Sequence, residues 1–438
     1  MAIVSGELRL FFIALLVAAS VGCGPSQGTP DGGGMDGGTG CPGAEVSCGS
    51  ICVDTSANLD HCGACDAACA NGWFCVAGTC EPPLLLTTHQ AANVVLGQPD
   101  FDTAVAGTTA TSMDRPVDAY VQGGRLFIAD RDNSRVLAYN SVPTTNGAAA
   151  DNVFGQATFA TNTAATTASG LDLAAAVAVN ATGGFFVADQ NNNRIVFRTS
   201  APAVDGANAD LAIGQPNLTA SGAACTNSGL DRPKAVFAVG DKVIIADSAN
   251  DRVLIWNSIP ASDGVAADLV LGQVNFDTCG PNRNAGSAGV DTLNDPRGIW
   301  SDGTRLIVAD TGNDRVLIWT SFPTSNGVGA NVVIGQPDFT TIGNNLTQTG
   351  LSFPTGVASN GTQLAVSDAN GNRVMIWNSF PTSNGAPADV VLGQNSFTTN
   401  ATATSVTGLA SPEGLFMSEQ QLIVADRLNE RVLIYNGQ

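Results

Sequence analysis

Two short markers recur in this chain in one register, six times each. The dipeptide Gly-Gln stands at Gly97-Gln98, Gly155-Gln156, Gly214-Gln215, Gly272-Gln273, Gly335-Gln336 and Gly393-Gln394, with spacings of 58, 59, 58, 63 and 58 residues. An Asp followed five residues later by Arg stands at Asp130/Arg135, Asp189/Arg194, Asp247/Arg252, Asp310/Arg315, Asp368/Arg373 and Asp426/Arg431. A tandem unit of this kind buries its apolar faces only by stacking on its neighbours, so the repeat dictates the architecture of most of the chain. A Pro lies 14 residues before the Asp in five copies, at Pro116, Pro233, Pro296, Pro354 and Pro412, and Ala175 holds that place in the second copy.

Each copy carries four short strand-like runs. In the fourth they are Gly298-Ile299-Trp300, then 305–310, then 315–319, and finally Val332-Val333-Ile334-Gly335, separated by turn signals such as Asp302-Gly303 and Asn326-Gly327. The runs are β-branched and almost continuously apolar, which predicts strands buried on both faces. Six four-stranded sheets, each covered by two neighbours, make an all-β, six-bladed β-propeller over residues 91–438. No stretch has a sustained 3.6-residue period, so almost no helix is expected. The span from Ala91 to Gln438 is 348 residues, six times 58; it opens on a fourth run at 94–97 and closes on a third run at 431–435. The first fragment should therefore serve as the outer strand of the last blade and remove the open edges.

The unit P-x-G-V-x-x-x-G-x-x-L-x-V-A-D-x-x-N-x-R-V-L-I-W resembles the NHL repeat of six-bladed propellers, with the best matches at 309–316 and 246–253. The copies are longer than ordinary NHL units because the Gly-Gln run and its loop are extended. This resemblance implies a fold; it leaves function open. Related propellers include lyases and lactone hydrolases whose channels hold a metal through His and carboxylates. Here no histidine follows His89.

Six equivalent Asp and Arg residues point to a structural device. The Asp should accept backbone N–H bonds in the turn between second and third strands, and the Arg should reach back over that turn. A calcium loop at 130–134 or 189–193 would need Gly at its sixth position, where Arg135 and Arg194 stand instead. The aromatics nine residues past the Asp are Tyr139, Trp256, Trp319, Trp377 and Tyr435, with Arg198 in the second copy. They are expected to pack between blades, and Arg198 to mark a polar patch. Glu413 and Glu430, near strand ends, are expected to face solvent.

The segment before the repeats reads as export and anchoring. Residues 1–22 form a signal peptide with an apolar run at 10–19, too short to span a bilayer. The run ends in Ser20-Val21-Gly22-Cys23, which resembles the bacterial lipobox and implies lipidation of Cys23. Residues 23–40 then form a Gly-rich tether. Eight cysteines follow in a module at 41–80: Cys41, Cys48, Cys52, Cys62, Cys65, Cys69, Cys75 and Cys80. Four disulfides are the natural reading of an exported segment this small, with their connectivity open. The rival is zinc at Cys62-x-x-Cys65 beside His61, which an oxidising location disfavours. The pattern 48–80 resembles cysteine-rich modules of secreted and surface proteins of myxobacteria-like organisms. Residues 81–90 read as a stiff linker. Cys225 and Cys279 lie in loops after successive Gly-Gln markers, and a bond between them completes the cysteine count.

Composition removes whole classes of function. The chain has 18 basic and 38 acidic residues, a net charge of −20, and only two lysines, Lys234 and Lys242. No basic footprint for nucleic acid is available. Nucleophile-elbow, HExxH and P-loop signatures are absent. The expectation is an envelope-anchored monomer, on the outer membrane or cell surface or else secreted, touching the membrane only through a lipid. Its loop face would bind a protein, peptide or glycan, with no cofactor and no metal; the long loop at 278–295 is the main candidate. The alternative is a propeller hydrolase or lyase with a carboxylate-lined calcium site in the central channel.

Overall fold

A computed structural model describes residues 46–48, 51–55, 60–65, 67–69, 74–76, 78–81 and 84–437. The signal-peptide, lipidation and tether readings, Cys23 and Cys41 included, lie outside the described residues. Among the described residues, helix is confined to 3-10 turns of three or four residues, and none is long and apolar enough to cross a membrane.

Six four-stranded antiparallel sheets form the blades of a propeller. Blade 1 runs from its inner strand Pro116–Gln122 through Arg125–Asp130 and Arg135–Tyr139 to its outer strand Asn152–Phe154. Blades 2 to 5 repeat this order. Blade 6 takes Pro412–Met417, Gln421–Asp426 and Arg431–Asn436 from the end of the chain and Val94–Leu96 from its beginning, with Val432 opposite Leu96 and Ile434 opposite Val94. The expected closure is what the chain does.

The closure takes in more chain than expected. Residues 84–90, read from sequence as a linker, supply the turn that precedes the outer strand in the other blades. His89 occupies the place of Gly147, with φ of 61° at both, and each donates its N–H to the neighbouring outer strand at 2.9 Å. The Thr88 hydroxyl accepts from Val391 N as the Asn146 carbonyl does from Val95 N. Leu84 and Leu86 are buried against blades 5 and 6. The linker reading missed this because Thr88-His89 lacks the Asn-Gly or Asp-Gly signal that marks the other turns.

The core is six apolar clusters, each between two adjacent blades; Ile244, Ile255 and Val253 of blade 3, for example, meet Val308, Leu317 and Trp319 of blade 4. Such fully buried aliphatic side chains contribute about 1.5–3 kcal/mol each. Blade 2 departs in composition, because its inner strand Ala174–Val179 is mostly alanine. Phe186 and Phe197 of that blade, with centroids 4.7 Å apart, fill the volume the alanines leave.

Blade 2 also corrects an alignment. Ala174, not Ala175, pairs with Asp189 as Pro233 pairs with Asp247. One extra residue lies between them, and counting back from the Asp was therefore off by one.

In the cysteine-rich segment, Val46–Cys48 pairs with Ile51–Val53 and Phe74–Val76 with Thr79–Glu81. Disulfides join Cys62 to Cys75 and Cys69 to Cys80, and Cys65 is also disulfide-bonded. The clustering of Cys62, Cys69 and Cys75 is that of two neighbouring disulfides, so their sulfurs are not free to ligate zinc.

Candidate functional site

The repeated Asp–Arg pairs shape one face of the disc. All twelve side chains are fully buried. In blade 1, Asp130 Oδ2 accepts from Arg135 Nε at 2.6 Å and Asn133 Nδ2 at 2.9 Å, while Oδ1 accepts from Asp114 N at 2.7 Å. That backbone donor sits two residues before Pro116, not in the turn after the Asp as expected. Arg135 then donates to the carbonyls of Phe159, Thr109 and Ser112. One guanidinium thus clamps the loop entering the blade and the loop leaving it. Arg194, Arg252, Arg315, Arg373 and Arg431 hold Asp189, Asp247, Asp310, Asp368 and Asp426 in the same way, with Nε to Oδ2 at 2.7 Å in each. Burial pushes these carboxyls up, and the guanidinium and N–H donors pull them back. With three donors on its two oxygens and a guanidinium bonded to it, each of Asp130 and Asp189 is already engaged and faces a cation, an arrangement unlike a calcium ligand's.

The Gln of each Gly-Gln tightens the same face, as Gln156 donates to the carbonyls of Ser134 and Thr163. The preceding Gly155 has a φ of 88°, and a Cβ there would stand 2.5 Å from Leu171, so only glycine fits. Blades are latched to one another at the rim. The left-handed residue that ends each Asp turn accepts from the backbone N–H just before the inner strand of the next blade: Asn193 from Arg232 N at 2.8 Å, Asp251 from Asp295 N at 2.7 Å and Asp314 from Phe353 N at 2.7 Å. Glu430 closes this ring onto Arg115 N.

Cys225 and Cys279 are disulfide-bonded across the Gly-Gln loops of blades 2 and 3, with Cα atoms 6.4 Å apart. Tyr139, Trp256, Trp319, Trp377 and Tyr435 are no more than 2% exposed and pack between blades. Each Trp also donates its Nε1 to a carbonyl nine residues on, at 3.0 Å. In blade 2 the partly exposed Arg198 substitutes by donating to the Asn208 carbonyl.

A cavity of about 590 Å³ lies in the central channel, between the six inner strands. Its polar end opens on the clamped-loop face. That end follows from topology: each inner strand starts beside the Asp turn of its own blade, as Pro116 pairs with Asp130. Five cations line it: Arg131, Arg232, Lys234, Arg297 and Arg427. Two carboxylates, Asp118 and Glu413, stand among them. Glu413 therefore does not face solvent; its Oε1 is 3.1 Å from Arg427 Nη1. Asp295 at the rim lies 2.8 Å from both Lys234 and Arg297. Arg427 Nε is buried with no acceptor in the protein, and Arg232 has no ion pair among the described residues. Burial, together with the charge of Arg297, pulls Lys234 below the ordinary lysine range.

Asp118 sits at a bulge in its inner strand, where solvent in the channel reaches it. Its Oδ2 accepts from Val177 N of blade 2 at 3.0 Å, and Gly414 of blade 6 lies so close that a Cβ there would stand 2.4 Å from its Oδ1. Enclosure pushes the Asp118 carboxyl up to about 7, backbone N–H bonds oppose this, and the charge of Glu413 adds to it. Below these groups Tyr120 meets Phe237 and Phe416 edge-on, with centroids 6.2 and 5.6 Å apart. Burial pushes the Tyr120 phenol up to about 12, so it stays neutral.

Sequence reading found none of these channel residues. Much of the channel side is itself apolar, with Tyr120, Phe237, Trp300 and Phe416 on it, so the sequence pattern does not tell the channel side from the blade side. The available signal was the bulge position two residues after the Pro, where three blades carry glycine and blade 1 carries Asp118.

Comparison with known proteins adds a family to the N-terminal region. Residues 34–82 match the stigma-specific STIG1-like protein family, so the cysteine-rich module is STIG1-like. No curated protein matches the chain. Among solved structures, virginiamycin B lyase from Staphylococcus aureus is similar at 10% identity and a TM-score of 0.38, over 76% of this chain and 97% of that one. A Bacteroides thetaiotaomicron protein of unknown function is similar at 12% identity and a TM-score of 0.41, over 80% of this chain and 75% of that one. A streptogramin B lyase is similar at 10% identity and a TM-score of 0.40, over 77% of this chain and 97% of that one. The six-bladed architecture itself stands on the strand pairing.

Proposed function

We propose that this chain is an exported, lipid-anchored binding protein, with NHL-like blades, whose central channel takes an anionic ligand from the clamped-loop face. One observation carries the reading. A chain of net charge −20 spends six of its 18 basic residues on the Asp–Arg clamps and turns five of the remaining twelve into one cavity. Asp118 and Glu413 share the lining and Asp132 and Asp295 pair at its edge, so the cavity keeps a small excess of positive charge, which between low-dielectric walls raises the local concentration of anions. The cavity volume suits a small molecule. The loops, 278–295 among them, then frame the mouth of the channel and do not themselves bind a macromolecule.

The export and anchoring part is supported by sequence alone: the apolar run at 10–19 followed by Cys23, and a cysteine-rich module suited to an oxidising compartment. The calcium-hydrolase alternative gains nothing from the channel, because Glu413 is bonded to Arg427 and Asp118 stands among cations. The lyase names of the structural neighbours belong to those proteins.

Thermal melts of the full chain with sodium acetate, succinate or phosphate test the binding reading, with chloride balancing ionic strength. A ligand at 100 times its Kd stabilises by about 2.7 kcal/mol, so saturating anion should raise Tm. Arg297→Gln/Arg427→Gln should abolish the rise. No anion-specific rise, or an equal rise in the double variant, would overturn the proposal. For the anchor, Cys23→Ser should release the protein from membranes of the producing cell.

A further inference from the structure

The cations at the mouth do not sit on a polar floor. Counting along the inner strands, the residues opposite the third residue before each repeat Asp form one level: Tyr120, Ala178, Phe237, Trp300, Ala358 and Phe416. This level lies three residues beyond Lys234, Arg297 and Glu413, about 7–10 Å deeper. The four rings come from blades 1, 3, 4 and 6. The two alanines come from blades 2 and 5, which face each other across the axis of a six-membered ring. The floor is therefore a cleft: rings of blades 6 and 1 make one wall and those of blades 3 and 4 the other. Tyr120 and Phe237 touch edge to face at the blade 2 end, at 6.2 Å between centroids, and the cleft is open at the blade 5 end, where Ala358 lines the channel. All four rings are only partly buried, so each keeps open area toward the channel.

From this geometry we infer that the ligand is an amphipathic anion: a carboxylate or other small anionic head held by Arg427, Arg297 and Lys234, carrying a flat apolar body that enters the aromatic cleft. The inference rests on the anion-binding reading above and adds the second half of the molecule. A hydrated inorganic anion would leave the cleft wet and its aromatic faces uncovered. A neutral arene would leave Arg427 Nε buried and without an acceptor. An aryl carboxylate offers a group to each end at once.

The test compares 2-naphthoate, acetate and 2-naphthalenemethanol by isothermal titration on the full chain. Naphthoate should bind at least tenfold more tightly than acetate or the alcohol. Phe237→Leu and Phe416→Leu, which keep an apolar side chain of similar size, should each lower naphthoate affinity several-fold and leave acetate unchanged. Arg427→Gln should weaken both anions. Trp300 is the one tryptophan in the cleft, so naphthoate should alter protein fluorescence, and Trp300→Phe should remove most of that change. If acetate and naphthoate bind equally, the amphipathic assignment is wrong and the anion site stands. If the alcohol binds as tightly as naphthoate, the head assignment is wrong. If neither anion binds, both readings fall together.

Discussion

Asp118 decides how the channel responds to pH. It is held between Val177 N and Gly414, with Glu413 on the blade beside it and Lys234 and Arg297 on the blades beyond. Its carboxyl titrates at about 7, so it is neutral in mild acid and charged above that. Each deprotonation adds a negative charge to the cavity proposed to accept an anion. The affinity of acetate, which is fully ionised from pH 6 to 8, should therefore fall as pH rises through that range. Asp118→Asn should flatten this dependence and keep the high-affinity limb. An unchanged slope in the variant would assign the titration to another group. The same residue illustrates what sequence leaves unread. Its chemistry comes from enclosure by the strands of blades 2 and 6, which lie 59 residues ahead of it and nearly 300 beyond it.

At the scale of the element, the unit that matters is the clamp. Each Arg holds a carboxylate and the carbonyls of two loops, so removing it strands a buried carboxylate and unties both connections. Arg315→Met should destabilise the protein by about 3–5 kcal/mol in urea titration, whereas Arg115→Met, at an exposed pair with Asp132, should cost about 1 kcal/mol or less. The turn at 84–93 gives a prediction of opposite sign. His89 is held in the left-handed region where its counterpart is Gly147. That conformation costs a side-chain-bearing residue about 1–2 kcal/mol, part of which glycine returns through its freer unfolded chain. His89→Gly should thus stabilise by about 0.5–1 kcal/mol, read as a higher urea midpoint at constant slope. The Asp and Arg were legible because six copies repeat them. The linker at 81–90 was misread and Ala174 misaligned because in each case one copy had lost its marker while keeping its geometry. Repetition reveals what the copies share, and the candidate site is built from positions where they differ.

The whole molecule was the most legible level. Strand period, turn chemistry and the count of copies each pointed to six blades, and the leftover fourth run predicted how the ring closes. The channel was illegible for a related reason: its side of the inner strands carries Tyr120, Phe237, Trp300 and Phe416, apolar like the blade cores, and so leaves no polar alternation in the sequence. Closure can be tested directly. A chain beginning at Leu84 should melt as cooperatively as the full protein, while one beginning at Gln98, which lacks the outer strand and turn of blade 6, should lose cooperativity and expose apolar surface to a dye. Equal melting of the two would show that the ring does not depend on that strand.

The sharing of blade 6 between both ends of the chain also sets a schedule. Five sheets have all their strands as soon as their own stretch of chain emerges, but the sixth waits for the final residues to be made. The channel has no complete wall until then, since Glu413, Phe416 and Arg427 all belong to that last blade. Partial stretches of chain are thereby kept from closing into a disc, and the channel is completed in one step, when the two ends of the propeller meet.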